Sequence, residues 1–162
     1  MARLYFAYGA NMVRHEMAAR CPAARMVGTA ELRHHRFAII RGGNGTVLHR
    51  ARAMTHGVLW RLGRGDEATL DRYEEVACGL YHRARGVVWR DGRPVRALVY
   101  VAAITAPGRP KPPYIAAIVA AARGLGFPDD YVGALAASAR NSAGVRPAAL
   151  RARSARARSR FA

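Results

Sequence analysis

Tyr5-Phe6-Ala7-Tyr8-Gly9-Ala10-Asn11 is the stretch from which the rest of the chain can be read. The aromatic, extended run over residues 3–8 suits a buried strand. Gly9 breaks it, and residues 12–20 predict a helix that stops before Pro22. A strand that turns abruptly into a helix aims successive backbone N–H groups outward at the positive end of the helix dipole. That geometry suits a carboxylate or a developing oxyanion. A β-branched residue in place of Gly9 would resist the positive φ expected there and would block close approach of a bound molecule. The junction is not a phosphate-binding P-loop, because both the required glycine spacing and the lysine are missing. A plain strand-to-helix turn is the commoner origin of such a junction, so this stretch by itself assigns no function.

Further along, strand-like runs lie around residues 26–30 and 36–40. Gly42-Gly43-Asn44-Gly45 reads as a turn with several residues fit for positive φ. Residues 55–62 form another strand, with Val58 and Trp60 on one face and Gly57 and Leu59 on the other. Asp66 is the expected N-cap of a short helix running to about Glu74. Residues 81–89 and 95–101 predict two strands joined at Asp91-Gly92, a strong hairpin signal. Residues 107–113 read as an exposed Pro-rich loop. An apolar helix over 114–123, ended by Gly124 or Gly126, and a second short helix over 128–135 follow. No internal repeat is present. Many short strands with few helices indicate an α+β domain, its mixed sheet curled into a partial barrel with flanking short helices.

Length and composition bound what such a domain can do. The 162 residues make one domain over 1–139, followed over 140–162 by an Arg/Ala/Ser-rich tail. From Ser142 onward that tail holds six arginines and no apolar periodicity, so it is expected to be disordered. Apolar residues at 51% and charged residues at 23% exclude wholesale disorder of the remainder. No run approaches the ~18 apolar residues of a membrane span, and the first strand is too short for a signal segment. Cys21 and Cys78, the only cysteines, lack metal-ligand spacing. The protein therefore reads as cytoplasmic, a monomer or homodimer, with no membrane partner. Its charge is less ordinary: 27 basic against 10 acidic residues give +17, with an isoelectric point near 11.5. Such a balance suggests nucleic acid. Yet Lys111 is the only lysine, and arginine is spread with alanine along the whole chain, as GC-rich codon usage produces without functional choice. No RRM, KH, zinc-finger or basic-helix pattern appears, which argues against nucleic acid as a partner.

Two further features bear on chemistry. Leu70-Asp71-Arg72-Tyr73-Glu74-Glu75-Val76 concentrates three of the ten acidic residues ahead of Gly79-Leu80-Tyr81; a solvated helix end would explain it equally well. Tyr81, Tyr100 and Tyr114 fall at a strand start, a strand end and a helix start, where each alone is more often a core aromatic. No Ser-His pair stands at a nucleophile elbow. Together with residues 5–11, however, the set resembles the γ-glutamylcyclotransferase family. Its members open on a YFAYGSN-type loop, carry an LDxxEG-V…G-x-Y segment, and place a tyrosine ahead of a late helix. Here those elements stand at residues 5–11, 70–81 and Pro113-Tyr114. Gly57-Val58-Leu59-Trp60 is similar to the family's VWGVLW strand, and residues 124–131 are similar to its closing GLP-x-x-Y turn. The resemblance covers residues 5–135. Two positions depart from it. Ala10 replaces the usual serine, and Glu75 stands where a glycine follows the catalytic glutamate. Neighbouring helix positions point ~100° apart, so only one of the two glutamates is expected to face the site, and the family register picks Glu74.

The resemblance implies an enzyme that cyclises a γ-glutamyl group to 5-oxoproline and releases an amine or amino acid. The nucleophile, the α-amino nitrogen, belongs to the substrate. Glu74 is the implied general acid and base. Tyr5, Phe6, Ala7, Tyr8, Gly9, Ala10 and Asn11 are the implied substrate-binding loop, with Tyr81, Tyr100 and Tyr114 closing the pocket. Neither cofactor nor metal is implied, and the partner is a small γ-glutamyl molecule. The leaving group stays open among amino acids, amines, glutathione and aminoglycoside-type conjugates; arginines gathered at the mouth would favour a substrate with a second carboxylate. A basic nucleic-acid-binding protein, or a non-catalytic interaction module on the same fold with a filled or distorted pocket, are the alternatives from other functional classes.

Overall fold

A single long hairpin carries the architecture. In the computed structural model, which describes residues 3–140, β2 (Arg25–Ile39) and β3 (Gly45–Arg61) pair antiparallel from Arg25↔Arg61 to Ile39↔Gly45. The glycine-rich turn expected at residues 42–45 joins them. Where the sequence suggested two strands over 26–30 and 36–40, there is one. Register shifts between Met26 and Gly28 and between Arg33 and His35 bend it without ending it, with His34 at φ 58°, the local geometry of bulges. β3 likewise begins at Gly45 rather than at Thr55. Its first half exposes His49, Arg50 and Arg52 and so lacks the alternation that announces a half-buried strand.

The other three strands close this hairpin into a barrel of order β1-β3-β2-β4-β5. β1 (Leu4–Ala7) runs antiparallel to the end of β3, from Leu4↔Arg61 to Ala7↔Val58. β4 (Tyr81–Arg90) and β5 (Arg93–Ala102) form the predicted hairpin. Asp91 and Gly92 sit at φ 49° and 73°, as a primed turn requires. β4 meets β2 at Glu31↔Trp89, and β5 meets β1 in parallel at Tyr5↔Leu98. The fold is thus α+β, and the expected partial barrel is a closed one. Gly57 permits the tight contact between β1 and β3: a Cβ there would lie 2.3 Å from the Ala7 carbonyl oxygen and 2.6 Å from the Phe6 ring.

Alternation along the strands sorts two apolar layers. Phe6, Leu32, Leu59, Val88 and Val99 fill the barrel interior. Tyr5, Val58, Trp60, Leu98 and Tyr100 point outward and pack with helix residues such as Met17 and Ile118. The Val58/Trp60 and Leu59 faces are therefore opposite, as read from the sequence.

The helices differ from expectation at their ends. The helix expected over 12–20 is two pieces: a tight turn, Ala10–Met12, then α1 (Arg14–Arg20), separated by an extended Val13 at ψ 112°. In α2 (Asp66–Tyr73) the N-cap is Gly65, left-handed at φ 88°. Asp66 is instead the first helical residue, and its carboxylate turns back to accept from the Gly63 amide at 2.7 Å. α3 (Pro112–Gly124) starts ahead of Tyr114, with prolines in its first turn where a missing N–H costs nothing. α4 (Asp129–Arg140) runs past the expected end at Leu135. Apart from Arg140, the tail expected over 140–162 lies outside the described residues. Among those, no helix is long and apolar enough to cross a membrane.

Candidate active site

α2 delivers a carboxyl to a cavity because of how it stops. Tyr73 is its last residue, Glu74 is the C-cap at φ −83°, and Glu75 follows in the left-handed region at φ 51°. Helices very commonly end this way, usually on glycine, which gives a physical reason for glycine at this position in the family that the chain resembles. The expectation that only one glutamate faces the site does not hold. Glu75 is not helical, so the 100° rule does not apply, and Glu74 and Glu75 both line a cavity of about 230 Å³.

Asn11 is the polar hub of that cavity. Its Nδ2 donates to Glu74 Oε1 at 3.2 Å and to the Tyr5 hydroxyl at 2.9 Å. The Asn11 Oδ1 accepts from Arg20 Nη1, and its main-chain carbonyl accepts from the Trp60 indole at 3.1 Å. Residues 5–11 therefore hold their shape through side chains of β3 and α1. Burial pushes the Glu74 carboxyl up to about 7, against the opposing effects of the Arg20 charge and the Asn11 hydrogen bond. Arg20 itself stacks over the Tyr73 ring, 3.5 Å from its centroid, and pairs with Glu16 at 3.7 Å.

Tyrosine hydroxyls make up most of the remaining wall, and each is committed. Tyr8 donates to the Tyr100 carbonyl at 2.5 Å and Tyr81 to the Gly45 carbonyl at 2.7 Å. Tyr114 accepts from the Gly45 amide at 2.9 Å. Tyr100 donates to Asp71 at 2.8 Å, and Arg83 grips that same carboxylate in a fork. Hydrogen bonding from Arg83 is the main cause holding the Asp71 carboxyl below its ordinary range. Burial raises Tyr5, Tyr8, Tyr81, Tyr100 and Tyr114 alike, keeping all five as neutral hydroxyls at physiological pH.

Of the residues expected to bind substrate, Tyr5, Tyr8, Gly9, Ala10, Asn11, Tyr81, Tyr100 and Tyr114 all line the cavity with Glu74. Phe6 and Ala7 do not. The pleat turns Phe6 into the barrel interior, and Ala7 is buried in the layer between sheet and helices. Gly9 is required for a different reason than expected. Its φ is −121°, outside the left-handed region, but a Cβ would stand 3.0 Å from the Tyr114 hydroxyl. Asn44 and Gly45 also line the cavity; as turn residues they carried no chemical signal in the sequence. Among the described residues the lining contains no arginine, lysine or histidine, so the arginines gathered at the mouth that the sequence suggested do not appear in it. Among the described residues it also contains no serine or cysteine. Among the described residues no three His, Cys, Asp or Glu side chains gather as metal ligands would.

A sequence profile of the AIG2-like family matches residues 55–135, half of the chain. The chain belongs to the AIG2-like family. Gamma-glutamylcyclotransferase of Mus musculus is 27% identical over 139 residues, covering 79% of this chain and 74% of the mouse protein. The Homo sapiens protein of the same name is 26% identical over the same shares. A solved structure of a gamma-glutamyl cyclotransferase superposes with a TM-score of 0.78 at 24% identity, over 85% of this chain and 88% of its own. It shares the barrel-with-helices fold. Within this AIG2-like chain the matched span holds Glu74, Glu75, Tyr81, Tyr100 and Tyr114, while the loop over 5–11 lies before it.

Proposed function

We propose that this chain is a γ-glutamylcyclotransferase. The observation that carries the reading is the cavity lining: among the described residues it offers two carboxyls and several hydroxyls but no serine, cysteine or histidine to attack a carbonyl. Such a site suits a reaction whose nucleophile arrives inside the substrate. In a γ-glutamyl amide the α-amino nitrogen closes onto the γ-carbonyl carbon, the new C–N bond forms a five-membered ring, and the original amide C–N bond breaks. The products are 5-oxoproline and the free amine, with no water consumed. Holding the chain folded in this way is worth an effective molarity of roughly 10⁵–10⁸ M.

Proton transfer is what remains for the protein. The substrate's α-ammonium must lose one proton to become a nucleophile and another after attack, and the departing nitrogen collects both. Glu74 would relay them. A carboxyl poised near 7 is well matched to both halves of that task at neutral pH. The backbone amides of Ala10 and Asn11 open the tight turn, where N–H groups lack intrahelical acceptors. They would meet the substrate's negative charge, either its α-carboxylate or the oxyanion of the tetrahedral intermediate. A non-catalytic module would have a filled or distorted pocket around Glu74; here the cavity is open, which supports the enzymatic reading. The test is release of 5-oxoproline from γ-glutamyl amides by the full chain. Release that disappears in Glu74→Gln is the expected result. No release from a broad set of such amides, or full turnover in Glu74→Gln, overturns the reading.

A further inference from the structure

The cavity's charge is opposite to the protein's. In a chain with 27 basic and 10 acidic residues, the only charged residues lining it among those described are Glu74 and Glu75. Glu74 is half-buried and engaged with Asn11. Glu75 is exposed, and its carboxylate has no hydrogen-bond or ion-pair partner among the described residues. Half of the ten acidic residues, Glu16, Glu31, Glu67, Asp71 and Asp91, lie within 4.0 Å of an arginine; Glu75 is not among them. Glu75 also occupies a left-handed backbone position, φ 51°, that glycine would take without strain. A carboxylate thus stands at the cavity rim on a backbone position that favours glycine.

Burial tells which part of a substrate it meets. Tyr5, Tyr8 and Asn11 are 3%, 6% and 4% exposed and form the inner wall, the place for the glutamyl group common to all candidates. The outer wall is Tyr73, 44% exposed, with Glu75, so the variable leaving group passes there. Among the described residues no cation lines the cavity. Arg20 of α1 is stacked on Tyr73 and paired with Glu16. Lys111 touches the neighbouring turn beside Gly43. Neither lines the cavity, and the hydroxyls facing it are neutral.

Resting on the cyclotransferase reading, we infer that this site selects γ-glutamyl amides whose leaving amine carries a positive charge, with Glu75 as the specificity-determining carboxylate. A solvent-exposed charge pair of this kind shifts kcat/KM by about 3- to 10-fold relative to a neutral leaving group, with a penalty of similar size for an anionic one. Three amides of matched length test it: γ-glutamylputrescine (terminal ammonium), γ-glutamylbutylamide (neutral) and γ-glutamyl-γ-aminobutyrate (terminal carboxylate). Each is followed by 5-oxoproline formation. The wild-type order should be cation, then neutral, then anion, with a spread that narrows as salt rises. Glu75→Gln should bring the three within about two-fold of one another. Glu75→Gly, which suits the left-handed backbone, should do the same and separates charge loss from misfolding. A flat wild-type series, or a spread that survives in both variants, overturns the role of Glu75. Absence of 5-oxoproline from all three overturns the activity on which the inference rests.

Discussion

Replacing Glu74 by glutamine should weaken catalysis and strengthen the fold, and the second effect depends on pH. The folded protein raises this carboxyl from 4.5 to about 7, so it binds the proton more tightly than the unfolded chain does. Stability is therefore highest while both states are protonated, and it falls as pH rises from the unfolded value through the folded one. Each tenfold change in proton affinity is about 1.4 kcal/mol, so ionising Glu74 in place costs roughly 3 kcal/mol by about pH 8.5, of which about 1.4 kcal/mol is already lost near pH 5.5. Glutamine keeps the shape and can still accept from Asn11, but it has no charge to desolvate. Urea unfolding of both proteins at the two pH values should show the variant gaining about 2 kcal/mol on the wild type between them. Meanwhile 5-oxoproline formation should fall by about 10²–10⁴-fold. If the two proteins lose stability in parallel as pH rises, Glu74 is not held as a buried acid, and the argument for its role as the base fails with it.

Other perturbations address separate parts of the site. Arg20→Met removes the cation that favours ionised Glu74; the acid limb of the pH–rate profile should move to higher pH, and an unmoved limb would show that Arg20 does not govern this carboxyl. Gly9→Val should reduce turnover by at least about tenfold through displacement of the Tyr114 hydroxyl, 3.0 Å from the added Cβ, with loss of stability of about 1–3 kcal/mol as in other overpacked sites; wild-type kinetics would remove this loop from the site. A chain ending at Arg140 should keep its fold by circular dichroism and its turnover, because every described residue lining the cavity lies between Tyr5 and Tyr114. If the basic charge binds polyanions, what that truncated chain loses is a salt-sensitive adhesion to nucleic acid, read by a binding titration at two ionic strengths.

Elements whose signal is local were readable in the sequence. β1 announces itself by aromatic residues ending on glycine, the β4–β5 turn by Asp91-Gly92, and the two faces of β3 by the period-two pattern of Val58, Leu59 and Trp60. β2 was harder because its bulges reset the alternation at Gly28 and His34, so one strand reads as two. The stretch of β3 from His49 to Arg52 is polar and exposed, and the first half of the strand owes its character to five ladder pairs with β2, from Gly45 to His49, rather than to its own composition. Closure of the barrel hangs on Tyr5↔Leu98, a contact between residues far apart in the chain that no local pattern encodes. The site divides along the same line. Its tyrosines and Glu74 could be named from motifs, whereas Asn44, Gly45 and Arg20 matter only through what the fold brings beside them. Phe6 and Ala7 belong to the motif but not to the cavity: the pleat turns Phe6 into the barrel interior, and Ala7, on the same face as Tyr5, is buried between sheet and helices.

Gly45 donates its amide to Tyr114 and accepts from Tyr81, which lashes the β2–β3 turn, β4 and α3 together at one residue. With Tyr8 tied to the main chain of β5 and Tyr100 to Asp71, the ring of phenols stands in a single arrangement before anything enters. Ordering a rotamer-rich side chain on association commonly costs about 0.5–1.5 kcal/mol, and here that entropy has been lost once, during folding. The cavity should accordingly behave as a mould rather than a glove: it discriminates by refusing shapes, and truncating any one phenol loosens its neighbours as well.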